Sequence, residues 1–544
     1  MINQLKNLSG RAADEFAYVR LCARSGALRI RSPRSVAGMV KAFARYGTIG
    51  ALPALAALRD PDFPALVDER GTLTFVELDA RINALANAWR DRGLRPGEGV
   101  AILARNHRGF LEAVFAAARC GARILLLNTD FAGPQIREVA EREGTDLLVH
   151  DEEYSAVLSG VDPPRGRFLA WADKQRPDTL DALIAGGATT APPAPEQGPK
   201  LVLLTSGTTG TPKGAPRPDP HSLAPVGALL SRVPFRAREV TECCAPLFHT
   251  LGFAHSILNI TLGTTLVLRR RFDALATLRS VREHGSTAMV VVPVMLQRMV
   301  ERIEADPDLA RPPSLRVAFV AGSQLGASLC ERAMAAFGPV IYNLYGSTEV
   351  AYATVATPGD LRVEPGCVGR QVRGATVKIL DEHGDEVPNG RTGRIFVGNA
   401  IQFEGYTGGG TKEVIGGLMS SGDVGHIDSH GLLHIDGRDD DMIVSGGENV
   451  FPGEVEELLA RHDDIVEAAA LGVPDDDYGA RLRAFVVARE GATLTETDVK
   501  EYVRANLARY KVPREVLFLD ELPRNPTGKI LKRELARYQA GKPA

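Results

Sequence analysis

Residues 205–214 read TSGTTGTPKG, a run of Thr, Ser, Gly and Pro with one cation, Lys213. Such a run packs no core. It suits a loop rich in backbone N–H and hydroxyl donors, which are the parts of a phosphate cradle. It is not the usual P-loop, because no Gly-x-x-x-x-Gly-Lys-Ser/Thr spacing can be drawn on it. The plainer alternative is a solvated loop after a buried strand. Four later segments also carry reactive groups. Residues 246–253 (PLFHTLGF) set His249 among apolar neighbours, where a lone histidine is more often a satisfied core residue. Residues 342–349 (YNLYGSTE) combine an aromatic face, a Gly turn, a hydroxyl and a carboxylate. The aromatic can stack on a purine and the carboxylate can hold Mg²⁺ beside phosphates; an ordinary strand-end turn is the alternative. Residues 421–425 (SGDVG) offer Asp423 to a vicinal diol, although Gly-Asp turns are common. Residues 523–530 (PRNPTGKI) form a Gly/Pro loop projecting Lys529, a residue that solvation alone would also explain.

The elements around these segments alternate. Residues 72–91 start with a polar turn and then place Leu78, Ile82, Leu85, Ala86 and Trp89 on one helical face. Residues 99–103 read as a buried strand, 111–120 as a helix, 122–127 as a strand, 134–144 as a helix and 147–149 as a strand. Residues 186–200 have linker composition and lead into the apolar strand 201–204. Further strands are expected at 264–268, 288–292, 317–320 and 340–344. Strands alternating with helices predict an α/β fold with a parallel sheet. From Val368 the texture changes to short strands at 376–381, 393–397 and 431–435, a small β-rich subdomain. Past Arg438, helices at 452–460 and 495–507 around a strand predict a compact α+β domain, with a boundary near residues 437–441.

A chain of 544 residues is too long for one core and implies two or more domains. A net charge of -3 does not suggest a nucleic-acid binder. The six cysteines form no C-x-x-C pair, so neither a zinc site nor a disulfide framework is indicated, in keeping with a reducing cytosol. No stretch approaches the roughly 18 apolar residues of a membrane span. Asp14, Glu15 and several Arg interrupt any signal-peptide layout, so a cytoplasmic protein is expected. The first 60 residues are basic, and residues 35–46 (SVAGMVKAFARY) mix apolar positions with Lys41 and Arg45. The favoured expectation is a helix docked on the body with a solvated basic face. The sharper one is an amphipathic segment touching the inner membrane face.

Taken in order, residues 205–214, 246–252, 345–349, 421–425, 437–447 and 523–529 resemble the core motifs of the adenylate-forming superfamily: acyl-CoA synthetases, firefly-type luciferases and peptide-synthetase adenylation domains. The resemblance runs from about Asp60 to near the C-terminus. It implies a large N-terminal AMP-binding domain of βα subdomains with a β-rich subdomain (61–437), a hinge (438–441) and a mobile α+β domain (442–544), preceded by the basic extension (1–60). It implies ATP, Mg²⁺ and CoA. By resemblance, Ser206, Thr208, Thr209 and Lys213 hold the β- and γ-phosphates, in a loop that includes Thr205, Gly207 and Gly210. Tyr345 stacks on adenine, with Gly346 and Ser347 beyond it and Gly322, Ser323 and Gln324 at the other edge. Thr348 bonds the α-phosphate and Glu349 binds Mg²⁺. Asp423 takes the ribose hydroxyls, with Ile435 and Arg438 nearby. Lys529 reaches the α-phosphate and the substrate carboxylate during adenylation. Asp440 is the pivot about which the C-terminal domain turns, bringing Ser445, Gly446 and Gly447 to the pantetheine tunnel. His249 stands at the mouth of the acyl pocket.

Within the superfamily, residues 245–253 (APLFHTLGF) hold no carboxylate for an α-ammonium group, which argues against an amino-acid substrate. The expected activity is ligation of a medium- to long-chain fatty acid to CoA. The alternatives are an aryl, coumarate-type ligase, an acyl-AMP ligase loading a carrier protein, and a non-catalytic nucleotide-binding protein. Phe253, His255, Ser256, Val294 and Leu296 are candidates for the acyl pocket. Thr407 stands where the family commonly has Trp, before a Gly-rich stretch expected to be more mobile than usual. Oligomeric state is open, a homodimer included.

Overall fold

The computed structural model describes residues 2–29, 31–174, 176–204, 213–217, 222–309, 312–407, 409–439, 443–445, 448–475, 479–507, 511–525 and 528–538. Two parallel-based sheets build the N-terminal part. The first has six strands in the order Arg167–Trp171, Thr145–Asp151, Gly99–Leu103, Arg123–Leu126, Lys200–Leu204, Gly214–Arg217. All pairs are parallel except the last, which is antiparallel. Gly99–Leu103 is buried at every position, as a central parallel strand covered on both faces must be. The second sheet has nine strands. Its parallel centre runs Ile341–Tyr345, Val317–Val320, Ala288–Val291, Val240–Cys243, Thr265–Leu268, Pro64–Asp68, with antiparallel strands at both edges.

Thr376–Leu380, Gly393–Gly398, Val414–Ile415, Leu418–Ile427 and Leu433–Arg438 form an antiparallel sheet, the expected β-rich layer. A separate sheet starts at Ile443–Ser445. There the single strand expected between the C-terminal helices is a long hairpin, Ile465–Asp475 with Gly479–Ala488. The helix expected after the polar start of residues 72–91 begins at Phe75, and that start is a strand rather than a turn. Gly71–Thr74 pairs with Pro64–Asp68 instead, and Thr74 caps the helix: its Oγ1 accepts from Glu77 N, while a Glu77 carboxylate oxygen accepts from Thr74 N. Pro216 in Gly214–Arg217 hid that strand, but an edge strand tolerates proline.

Four helices bear on the cleft and its surroundings: α1 (Ile2–Ser25), α2 (Pro33–Arg59), α3 (Ala224–Leu230) and α4 (Thr250–Leu262). Residues 35–46, read as a helix, lie in α2, and α1 before it is also docked on the body. Tyr18 is buried, donates its hydroxyl to Arg373 O at 3.0 Å, and fills the space a side chain at Gly227 or Gly374 would need. Asp14 pairs with Arg373 at 2.9 Å, and Glu15 accepts from Ser222. α2 is kinked at Gly47 (φ 67°, ψ -167°), a conformation that favours glycine. Its second half joins the main core through Ile49, Leu52 and Ala56. The linker-like residues near 190 are strapped down: Asn83, Asn87 and Tyr46 donate to the carbonyls of Ala188, Thr189, Thr190 and Pro192.

Candidate active site

Strand Ile341–Tyr345 carries Tyr345 to the edge of a cleft of about 2200 Å³. The turn after it needs Gly346, because a Cβ there would collide with the Ala351 carbonyl. Ala351 itself adopts φ 61°, a left-handed conformation costly for a non-glycine residue. Ser347 Oγ accepts the amides of Glu349 and Val350, both at 3.2 Å, and so aims the Thr348 and Glu349 side chains. Strand Leu418–Ile427 brings in Asp423, and the antiparallel register sets Arg438 directly opposite. Asp423 Oδ2 accepts the Tyr345 hydroxyl at 2.7 Å, and Oδ1 accepts Arg438 Nη1 at 3.0 Å. Burial pushes the Asp423 carboxyl upward in pKa, opposed by Arg438, Tyr345 and Lys529; burial drives the Tyr345 phenol far up. A ribose diol could exchange for these partners.

Glu349 is held by two hydroxyls. Tyr406 Oη donates to Oε1 at 2.8 Å and Ser347 Oγ to Oε2 at 3.1 Å. Lys213 Nζ lies 5.2 Å from the centre of the Tyr406 ring. Thr348 Oγ1 is 3.2 Å from Thr250 Oγ1. This oxygen-rich set suits Mg²⁺, a hard cation that keeps phosphate and water ligands. Among the described residues no cluster of three His, Cys, Asp or Glu could hold a metal by itself, so the fitting reading is Glu349 together with nucleotide phosphates.

Arg217 belongs to the site and escaped sequence reasoning. Its guanidinium donates to Thr348 O and, at 2.7 Å, to Ile401 O, tying the Thr348–Glu349 turn to the β-rich layer. Burial lowers its pKa to about 10, opposed by Glu349, so it stays charged at neutral pH. The available signal was a cation four residues after Lys213, at the end of the same short segment. Thr407, just before the Gly-rich stretch, is anchored: its N–H donates to Gly214 O at 2.8 Å, and its Oγ1 accepts from Gly214 N at 3.0 Å.

His249 stands at the start of α4 without a side-chain cap hydrogen bond, its ring 4.5 Å from that of Phe248. Burial lowers its pKa to about 4, so the imidazole is neutral at pH 7. Lys529 sits on a tight hairpin in which Asn525 N donates to Lys529 O and Lys529 N to Asn525 Oδ1, both at 2.9 Å. Gly528 (φ 77°) presses against Val294, where a Cβ would collide. Lys529 thus lines the same cleft as Tyr345, Thr348 and Asp423, as do Gly322 (φ 104°), Ser323, Gln324 and Ile435. Thr205, Ser206, Gly207, Thr208, Thr209, Gly210, Asp440, Gly446 and Gly447 lie outside the described residues. Ser445 ends strand Ile443–Ser445.

Of the acyl-pocket candidates, Phe253, His255 and Val294 line the cleft. Ser256 and Leu296 do not. Ser256 Oγ turns back to Phe253 O at 2.7 Å, and Leu296 packs into the core with Met299 and Val300. Adjacent helical positions point about 100° apart, so neighbours in sequence cannot all face one pocket.

A cleft between a large α/β part and a small α+β part, with an aromatic, a paired carboxylate, a carboxylate–hydroxyl cluster and a loop lysine converging on it, defines a nucleotide-using enzyme fold. The family model described as AMP-binding enzyme matches residues 54–407, and that for the AMP-binding enzyme C-terminal domain matches residues 454–529. A fatty acid–[acyl-carrier-protein] ligase of Streptomyces coeruleorubidus is 31% identical over 500 residues, covering 88% of this chain and 94% of the relative. A feruloyl-CoA synthase of an Amycolatopsis species is 32% identical over 510 residues, covering 90% and 98%. The crystal structure of ATP-bound MatB from Rhodopseudomonas palustris superposes with a TM-score of 0.80 at 28% identity, covering 90% of this chain and 98% of that one. The chain belongs to the AMP-binding enzyme family, among adenylate-forming acid–CoA ligases. ATP and CoA are the co-substrates of these ligases, and Mg²⁺ is typical of the family.

Proposed function

We propose that this enzyme activates a medium- to long-chain fatty acid. The substrate carboxylate attacks the α-phosphorus of ATP, forming the acyl-adenylate and releasing pyrophosphate. The thiol of CoA then attacks the acyl carbon, the thioester forms and AMP leaves with the bonding electrons. In this reading Lys529 and Thr348 offset charge at the transferring phosphoryl group, chiefly by placement and electrostatics. Residues 205–210 and Lys213 cradle the outer phosphates, and Glu349 would hold the Mg²⁺ that offsets their charge. Tyr345, Asp423 and Arg438 seat the nucleoside. His249, neutral at pH 7, leaves the acyl-pocket mouth uncharged for the thioester step.

The observation that carries the fatty-acid reading is the wall beside His249. There Val226 and Leu229 of α3 and Phe253, Ile257 and Leu258 of α4 line the cleft with apolar side chains. Units 61–437 and 442–544 would turn about residues 438–441 between the two half-reactions, with Asp440 as pivot, a hinge motion. Among the described residues no helix is long and apolar enough to cross a membrane. The outer faces of α1 and α2 nonetheless expose Phe16, Val19, Val40 and Phe43 beside Arg20, Arg24, Arg34 and Lys41. We infer from this mixture a cytoplasmic enzyme that rests on an anionic bilayer.

The deciding experiment records pyrophosphate release and loss of CoA thiol together, across straight-chain fatty acids and cinnamates. Parallel signals with a chain-length optimum support the proposal. Turnover confined to cinnamates overturns the fatty-acid reading in favour of an aryl acid. Pyrophosphate without thiol loss overturns CoA as acceptor.

A further inference from the structure

The family match begins at residue 54, yet Thr48 and Ile49 line the active-site cleft. The packing of the N-terminal helices explains this. α1 lies on α3, and α2 lies on α4. Those two covered helices supply Val226, Leu229, Phe253, Ile257 and Leu258 to the apolar wall. The N-terminal segment is therefore the backing of the acyl pocket, and among its described residues it reaches the cavity at one place, just after the Gly47 kink.

That place is held on both sides. Before it, Tyr46 is buried and donates its hydroxyl to Pro192 O at 2.6 Å. After it, Gly50 packs against Ala118, and Leu52 and Ala56 enter the core. Just past the kink Ile49, 9% exposed, lines the cleft that Val226, Leu229, Phe253 and Leu258 also line, and its helix packs on α4. A branched side chain on a pinned backbone makes a fixed wall, which an alkyl chain meets as a limit on length.

We propose that Ile49, with Thr48 beside it, closes the alkyl end of the pocket and sets the acyl-chain length the enzyme accepts. This rests on the fatty-acid reading of the same site and adds a specificity-determining residue outside the matched family region.

The test compares wild type, Ile49→Phe and Ile49→Ala on saturated acids of increasing length, with thermal midpoints and KM for ATP measured in parallel. A hydrophobic pocket distinguishes one methylene by roughly tenfold, so Ile49→Phe should lower kcat/KM for the longest accepted acids by about tenfold or more, through KM, while the shortest change by less than about twofold. Ile49→Ala should move the optimum to longer acids. KM for ATP should not move in either. An unchanged length profile in a variant that keeps its thermal midpoint and KM for ATP overturns the proposal. If Ile49→Phe does not fold, Ile49→Ala alone decides. If wild type turns over only aryl acids, the fatty-acid reading fails. The wall is then read from para-substituted aryl acids of increasing length, where no shift between the variants overturns it as well.

Discussion

Glu242 lies on the interior strand Val240–Cys243 of the nine-stranded sheet, 2% exposed, and accepts Ser280 Oγ at 2.9 Å. Burial raises its pKa from the ordinary 4.5 to about 7. The native state therefore keeps a proton that the unfolded chain releases between those values. The associated stability is full below pH 4.5 and is lost as pH rises through about 7. The full span corresponds to about 3 kcal/mol. Glu242→Gln keeps the hydrogen bond and removes the titration, so the variant should match wild type near pH 4 and melt higher near pH 8. Thermal midpoints at the two ends check this, and parallel slopes for both proteins would refute it. The same scale explains why Arg217 was missed. A single arginine in a polar stretch carries no signal until its guanidinium is seen closing on Thr348 O and Ile401 O.

Residues 523–525 and 528–531 act together as one element. The isolated bridge between Arg524 and Ile530, with Arg524 Nη1 donating to Gly528 O at 2.6 Å, fixes where Lys529 projects. Gly528→Ala would place a Cβ against Val294 and impose an L-residue on φ 77°. That change should lift the hairpin from the cleft without removing the lysine. The two half-reactions, measured separately, check this. Gly528→Ala and Lys529→Ala should both slow acid-dependent pyrophosphate release by about 100-fold, the scale of a lost electrostatic contact at the transition state. Both should leave CoA attack on preformed acyl-adenylate near wild type. Equal loss in both half-reactions would mean that the hairpin acts through general stability.

At the scale of the whole molecule, the cleft exists because chain segments far apart in sequence converge: the β-rich layer, the C-terminal hairpin and α2 all supply residues to it. α1 and α2 each also turn apolar and basic residues outward. Phe16 is 67% and Val40 64% exposed, beside Arg20, Arg24 and Lys41. If these residues rest on lipid, the protein should pellet with vesicles containing phosphatidylglycerol and remain in the supernatant with neutral phosphatidylcholine. Added salt should weaken the binding, since the attraction is screened. Recovery in the supernatant with both vesicle types would exclude that contact.

The local chemistry was legible from the chain alone. The alternation of apolar runs with amphipathic stretches determined a parallel α/β core, because period and burial are local properties of the sequence. Gly, Ser, Thr and Lys in ordered segments pointed to nucleotide chemistry, and Tyr345, Thr348, Glu349, Asp423 and Lys529 do line one cleft. Tertiary structure alone decided which side chains meet. Leu296 turns into the core, Arg217 closes on Thr348 O and Ile401 O, Thr407 ties down to Gly214, and Ile49 reaches the cleft from outside the matched family region. The physical reason is that such contacts depend on packing between distant elements, whose relative placement comes from the shape of the whole core and is not encoded in any local pattern of residues.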